Sequence, residues 1–209
     1  MRKMAKIRIS DCFACDTFPC EDVQHEGYHI PDLKLNPATL KILMISESAP
    51  ADVQDYYYSN KQPAFEKTTI QAFKMAGLEV ITMNDLLQLG IYCTISVKCR
   101  KTGYGIKAAS IQNCSFLLEK EISLFPDLEV ILLMGDVAIK ALNTIARRNS
   151  GKRAIPAGST YKLREESYYY NNIRLFPSYL QVGPSFGIEK SKQEMIAEDI
   201  RNALDYVSI

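Results

Sequence analysis

The sequence contains no apolar run approaching the length of a membrane span, so no bilayer-crossing helix is expected. Its basic start, "MRKMAKIRISDC", is not followed by a long apolar stretch, so it is not expected to act as a secretion signal. No internal repeat or low-complexity run interrupts the 209 residues, which excludes solenoids and disordered tails as the main architecture. A net charge of +1 gives the whole molecule no attraction for nucleic acid, so any DNA-binding face has to be a local patch. Histidine is scarce: His25 and His29 are the only two, and both precede the first clear strand.

What remains is an ordinary globular composition, 47% hydrophobic and 23% charged, in a chain long enough to bury a substantial core as one domain spanning 1–209. A cytoplasmic location, where thiols stay reduced, is the matching expectation. That matters for the six cysteines. Three of them, Cys12, Cys15 and Cys20, crowd into "DCFACDTFPC". In a reducing compartment such spacing points to metal or redox chemistry more than to a disulfide. Cys93 lies within an apolar strand and reads as packing. Cys99 and Cys114, taken alone, read equally well as small core residues.

Residues 1–40 are irregular, punctuated by Pro19, Pro31 and Pro37. The run "KILMISE" (41–47) predicts a strand buried on both faces. A turn-rich loop follows, then a helix at 64–76 stopped by Gly77. "EVIT" (79–82) predicts a strand, "MNDLLQL" a short helix and "IYCTISVK" (91–98) another strand. Ile111, Cys114, Leu118 and Ile122 keep helical spacing within 106–124. "LEVILLMG" (128–135) is a further buried strand, and Asp136 is the expected N-cap of the helix after it. A hairpin turning near Asn171-Asn172 and a C-terminal helix complete the chain. This alternation predicts an α/β fold, a parallel sheet with helices on both faces. Ligands of such sheets collect at the carboxyl ends of the strands.

The loops at those ends carry a resemblance. "ILMISESAPAD", "ISVKCRKTG", "VILLMGDVAIKAL" and "IRLFPSYLQVGPS" resemble, in order, four segments of the iron–sulfur branch of the uracil-DNA glycosylase superfamily. With the cysteines the resemblance extends over most of 12–205, and it implies a three-layer αβα sandwich around a mostly parallel four-stranded sheet. The resemblance implies a [4Fe–4S] cluster held by Cys12, Cys15, Cys99 and Cys114, with Cys20 able to replace one ligand; four thiolates complete such a cluster. A four-thiolate zinc site obeys similar spacing. The same resemblance implies a catalytic carboxylate at Glu47, with Asp52 beside it, and a base pocket formed by Ser48, Ala49, Pro50, Phe65, Ile95 and Ser185. Asp55 reads as a solvated loop acid. It further implies DNA as partner and a monomeric protein. Lys98, Arg100, Lys101, Arg147 and Arg148 are the candidate DNA contacts, with Lys152 and Arg153 in the same basic segment as the last two.

Three departures from the family pattern stand out. Ile95 stands where the family has a base-reading Asn, and it has no amide to offer a base edge. The family's closing His is replaced by Leu180 or, with a short insertion, Gly183. Ser46 and Ala51 replace two loop glycines. These changes bear on substrate specificity more than on fold, because a lost buried amide removes discrimination between bases. Tyr56, Tyr57 and Tyr58 offer a stacking surface or phenolic donors in compensation. Three readings follow: a glycosylase acting on uracil or another damaged base, a non-catalytic DNA-binding relative with a cluster, and a zinc protein with an unrelated pocket.

Overall fold

A computed structural model describes residues 5–59, 62–187 and 189–209. Its centre is a six-stranded sheet in the order β2-β5-β4-β6-β8-β7. Strands β4 (Ile42–Ala49), β5 (Ile91–Lys101), β6 (Val130–Met134) and β8 (Ile173–Ser178) run parallel. Short antiparallel edges close both sides: β2 (Val23–Gln24) on β5 and β7 (Tyr168–Tyr170) on β8. The expected four strands are thus the parallel interior of a sheet of six. Of the two further strands, β7 is the first arm of the expected hairpin, and β2 is a two-residue segment too short to stand out as a periodic pattern. Such short edges also limit unwanted pairing with other chains. Outside this sheet, β1 (Ile7–Arg8) pairs with β3 (Lys34–Leu35), so the N-terminal segment is irregular apart from small ladders.

The strands are apolar because helices cover both faces. Helices α3 (Ala108–Ser123) and α4 (Asp136–Ser150) pack on the face carrying Leu43, Ile45, Tyr92 and Leu133. Helices α1 (Ala64–Met75) and α6 (Lys190–Val207) cover the face of Ile42, Met44, Cys93 and Ile95. The short α2 (Met83–Gln88) also contributes buried residues to that second layer, Met83 and Leu86, and α5 (Thr160–Leu163) precedes the β7–β8 hairpin. Asn171 and Asn172 both have positive φ, +48° and +67°, as a tight two-residue hairpin requires.

Two local expectations are corrected. Residues 79–82 form no strand: the Asp85 carboxylate accepts the Ile81 and Thr82 amide N–H bonds, each at 2.8 Å, leaving them no role in a ladder. Thr82 instead caps α2 in a reciprocal capping box. The N-cap of α4 is Gly135 (φ +96°), and Asp136 is the first helical residue.

Along β5 the side-chain alternation slips. Ile91, Cys93 and Ile95 face the α1/α6 layer, whereas Val97 and Cys99 both face α3 and α4. The pairing of β4 with β5 jumps from Ser48↔Val97 to Ala49↔Arg100, a bulge that releases Lys98 and Cys99 from the ladder. Bulges of this kind re-aim side chains beside functional crevices.

Candidate functional site

Glu47 is the one residue of β4 that is not fully buried, and it stands near the strand's carboxyl end with a side chain 19% exposed. Lys101 Nζ donates to its Oε2 at 3.4 Å. Its other oxygen faces the turn between β6 and α4, where a Cβ on Gly135 would lie 3.0 Å from Oε1. Glycine there serves both the positive φ and the room for the carboxylate. The result is an acidic group between a lysine and the start of α4, at the sheet edge where parallel α/β folds bind ligands. Asp52 is exposed and accepts the Gln54 amide at 2.9 Å, capping a short turn. Asp55, expected to be solvated, is partly buried and accepts the Ala64 amide at 3.1 Å, at the start of α1.

The expected base-pocket residues lie together but are packed inside. Ser48 and Ala49 are 6% exposed, Phe65 is 8% exposed, Ile95 is fully buried, and Pro50 is buried. The side chain of Ser185 lies outside the described residues. The Tyr57 ring meets Phe65 edge-on, with centroids 5.3 Å apart. Its hydroxyl is hydrogen-bonded to Ser46 and accepts from Gln181 Nε2 at 3.1 Å. Burial, above all, pushes the Tyr57 phenol far above its ordinary pKa, so it stays neutral. Gln181 has no signature in the sequence, because a lone amide after a strand carries no periodic signal, and Ser46 shows there only as a replaced loop glycine. Neither histidine reaches this region. His25 Nε2 is bonded to the Cys20 carbonyl at 2.8 Å, and the His29 ring packs on Tyr56.

Four thiols converge, and they differ by one from the expected set. Cys15, Cys20, Cys99 and Cys114 line one cavity of about 320 Å³ between the N-terminal segment, β5 and α3. Cys12 is not part of it; its Sγ donates to the Arg8 carbonyl at 3.2 Å. The reason is local: residues 9–11 form a tight helical turn, which leaves Cys12 directed back toward Arg8. Burial pushes the Cys99 thiol up to about 12, helped by Cys114, Cys15 and Cys20. The Cys114 thiol is pushed up to about 11 by burial, with Lys98 acting in the opposite direction. Cys114 Sγ also accepts the Lys98 amide at 3.2 Å, which ties α3 to the β5 bulge. Cys93 is a buried packing residue on the opposite face. Among the described residues, no group of three or more His, Cys, Asp or Glu is arranged to hold a metal ion.

The candidate DNA contacts divide. Lys98 is fully buried and cannot face solvent; its Nζ donates to Glu121 Oε2 at 2.5 Å, to Thr94 and to the Ile95 carbonyl. It shares the face of Tyr92 and Thr94, which bond the same Glu121 carboxylate, so the strand's own alternation turns it inward, against what its charge suggested. Arg148 is bound to α3, donating to Glu119 at 2.5 Å and Ser115 at 3.0 Å over the Phe116 ring. Arg100 is partly buried at the β2 edge, and Lys101 is engaged by Glu47. Arg147 and Arg153 line a separate groove of about 420 Å³ beside α4, together with Lys140.

No curated protein matches the chain. The sequence profile described as the uracil DNA glycosylase superfamily matches residues 33–198. That match takes in every strand of the parallel interior, the Glu47 crevice and the buried cluster around Tyr57. The chain belongs to the uracil DNA glycosylase superfamily.

Proposed function

We propose that this chain is a DNA glycosylase of the iron–sulfur type, which cleaves the N-glycosidic bond of uracil or another damaged base turned out of DNA. The observation that carries the reading is the Glu47 carboxylate held at the end of β4 beside Lys101 and Gly135. Breaking the bond between C1′ and the base nitrogen leaves positive charge on the sugar and negative charge on the departing base. Glu47 is the group to stabilise the first and to orient the attacking water. Lys101 is the cation nearest to the second. Water adds to C1′, and its proton ends on the released base. Arg147 and Arg153 supply phosphate contacts that position the strand.

Cys15, Cys20, Cys99 and Cys114 fit a [4Fe–4S] group. The support is the chemistry of the donor set: four thiols line one cavity, and four thiolates complete such a group. Its contribution is structural: it joins the 12–20 segment to β5 and α3. The deciding experiment incubates the purified chain, and its Glu47→Gln variant, with oligonucleotides carrying uracil, hypoxanthine, xanthine or a thymine mismatch. Base release that falls by about 10²-fold or more in the variant supports the reading; no release from any of them overturns it.

A second reading, a DNA-binding relative without catalysis, is favoured by the packing of Tyr57 against Phe65 and by the absence of an amide at Ile95. It expects salt-dependent DNA affinity with no base released.

A further inference from the structure

Ser46, Tyr57, Thr69 and Gln181 form a buried, uncharged polar cluster inside the apolar layer between the sheet and α1/α6. They come from four separate places: the end of β4, the turn after it, α1, and the loop after β8. The site lies at the carboxyl end of the sheet, flanked by Phe65, which touches Tyr57, and by Ile95, the sheet partner of Ser46.

The hydrogen bonding within this cluster is poor for groups so deeply buried. Gln181 Nε2 has the Tyr57 hydroxyl at 3.1 Å and the Ser46 hydroxyl at 3.2 Å, but it also points at the Met44 thioether at 3.0 Å, a weak acceptor. Among the described residues, the Gln181 carbonyl has the Ser46 hydroxyl alone, at 3.4 Å. Thr69 Oγ1 is buried with no hydrogen-bond partner among the described residues, although Thr69 is close enough to act on the Tyr57 phenol. Buried polar groups are normally satisfied, and an underused amide beside an orphaned hydroxyl calls for an explanation. A packing role alone would be met better by leucine, which carries no desolvation penalty.

We propose that Ser46, Thr69 and Gln181 form the edge-recognition site for a flipped nucleobase, which the Tyr57 phenol fills in the unliganded protein. The inference rests on the glycosylase reading above. A phenol resembles a base in the relevant respects: a flat ring against Phe65, with one polar edge directed at an amide and a hydroxyl. The amide presents both a donor and an acceptor, the pair a base edge needs, and a site with no charged member suits a neutral heterocycle. Gln181 thus delivers from the loop after β8 the amide that Ile95 lacks on β5. Entry of a base requires the Tyr57 ring to swing out with the turn that carries it.

Free bases test this without DNA or turnover. Tyr57→Ala opens a ring-sized space in the full-length chain. Uracil, thymine, cytosine, adenine and, as an uncharged shape control, benzene are then measured by equilibrium dialysis and thermal shift. At least one base is expected to bind and stabilise Tyr57→Ala but not the native chain. Adding Gln181→Leu should weaken that base about tenfold or more, because an unmatched polar edge is then buried, while benzene binding persists. Base binding that is indifferent to Gln181→Leu, or binding of benzene alone, overturns the proposal. If Tyr57→Ala does not fold, Tyr57→Val keeps an apolar stem there and is read by the same two criteria. Failure of the glycosylase reading is distinguishable, since a chain that releases no base can still pass this test. An active enzyme that fails it loses only the assignment of Gln181.

Discussion

Lys98 Nζ lies 2.5 Å from Glu121 Oε2, with neither side chain exposed to solvent. Tyr92 donates to the opposite carboxylate oxygen at 2.8 Å, and Thr94 does so at 2.9 Å. The pair therefore anchors α3 to β5 immediately behind the cysteine cavity. Two charges buried in this way gain little net stability over an apolar pair, but removing one leaves the other stranded. Lys98→Met and Glu121→Leu should each destabilise by about 3–5 kcal/mol, and the double variant should recover most of the loss. Urea denaturation of the three chains measures this, with additive losses as the contrary result.

The thiols give a sharper contrast than their spacing suggested. Cys15→Ser, Cys20→Ser, Cys99→Ser and Cys114→Ser should each lower bound iron and visible absorbance after anaerobic reconstitution. Cys12→Ser and Cys93→Ala should not. Iron retained by Cys20→Ser but lost by Cys12→Ser would restore the shorter motif and contradict the observed convergence.

Gly135 links backbone strain to the crevice. Gly135→Ala meets the Glu47 carboxylate at 3.0 Å and holds a positive φ at +96°. A loss of about 1–3 kcal/mol is expected from the backbone alone. Any base-releasing activity should fall further than stability does, because Glu47 must move. Thermal melts alongside turnover assays separate the two effects.

Asp199 sets a pH dependence. It is buried under the end of β8, accepting from Ser178 and Arg164, yet burial outweighs those partners and raises its pKa to about 6. The folded state thus holds the Asp199 proton more tightly than the unfolded chain, whose carboxyl titrates near 4. Its contribution is fully present below about pH 4 and is lost as pH rises towards 6, a decline of about 2–3 kcal/mol. Asp199→Asn should flatten that part of the stability profile, read from denaturation midpoints between pH 4 and 7.

Arg147 and Arg153 should act on DNA where Arg148 does not. Replacing either of the first two with Ala should reduce the salt dependence of DNA binding by about one unit of slope each. Arg148→Ala should instead lower stability, since its guanidinium is held by Glu119 and Phe116. Affinity measured across a salt series distinguishes them.

Much of this molecule is legible in its sequence. The strands read at 41–47 and 128–135, and the helical spacings of α1, α3, α4 and α6, follow from burial, which leaves a trace in the sequence. Glu47 was visible because it interrupts an otherwise buried strand in a recognisable loop. Segment 79–82 reads as a strand because β-branched residues suit one, while the cap made by Asp85 depends on just one side chain.

The choice among cysteines, the fate of Lys98 and the filling of the base pocket were decided by tertiary structure. Each depends on which groups a distant segment brings beside a side chain, and that has no signature in residue type. The chain's composition determined the layers and the strand ends, because burying apolar area is additive along a sequence. Which polar groups meet there was settled only when segments distant in sequence closed on one another, because a hydrogen bond depends on direction as well as on chemistry.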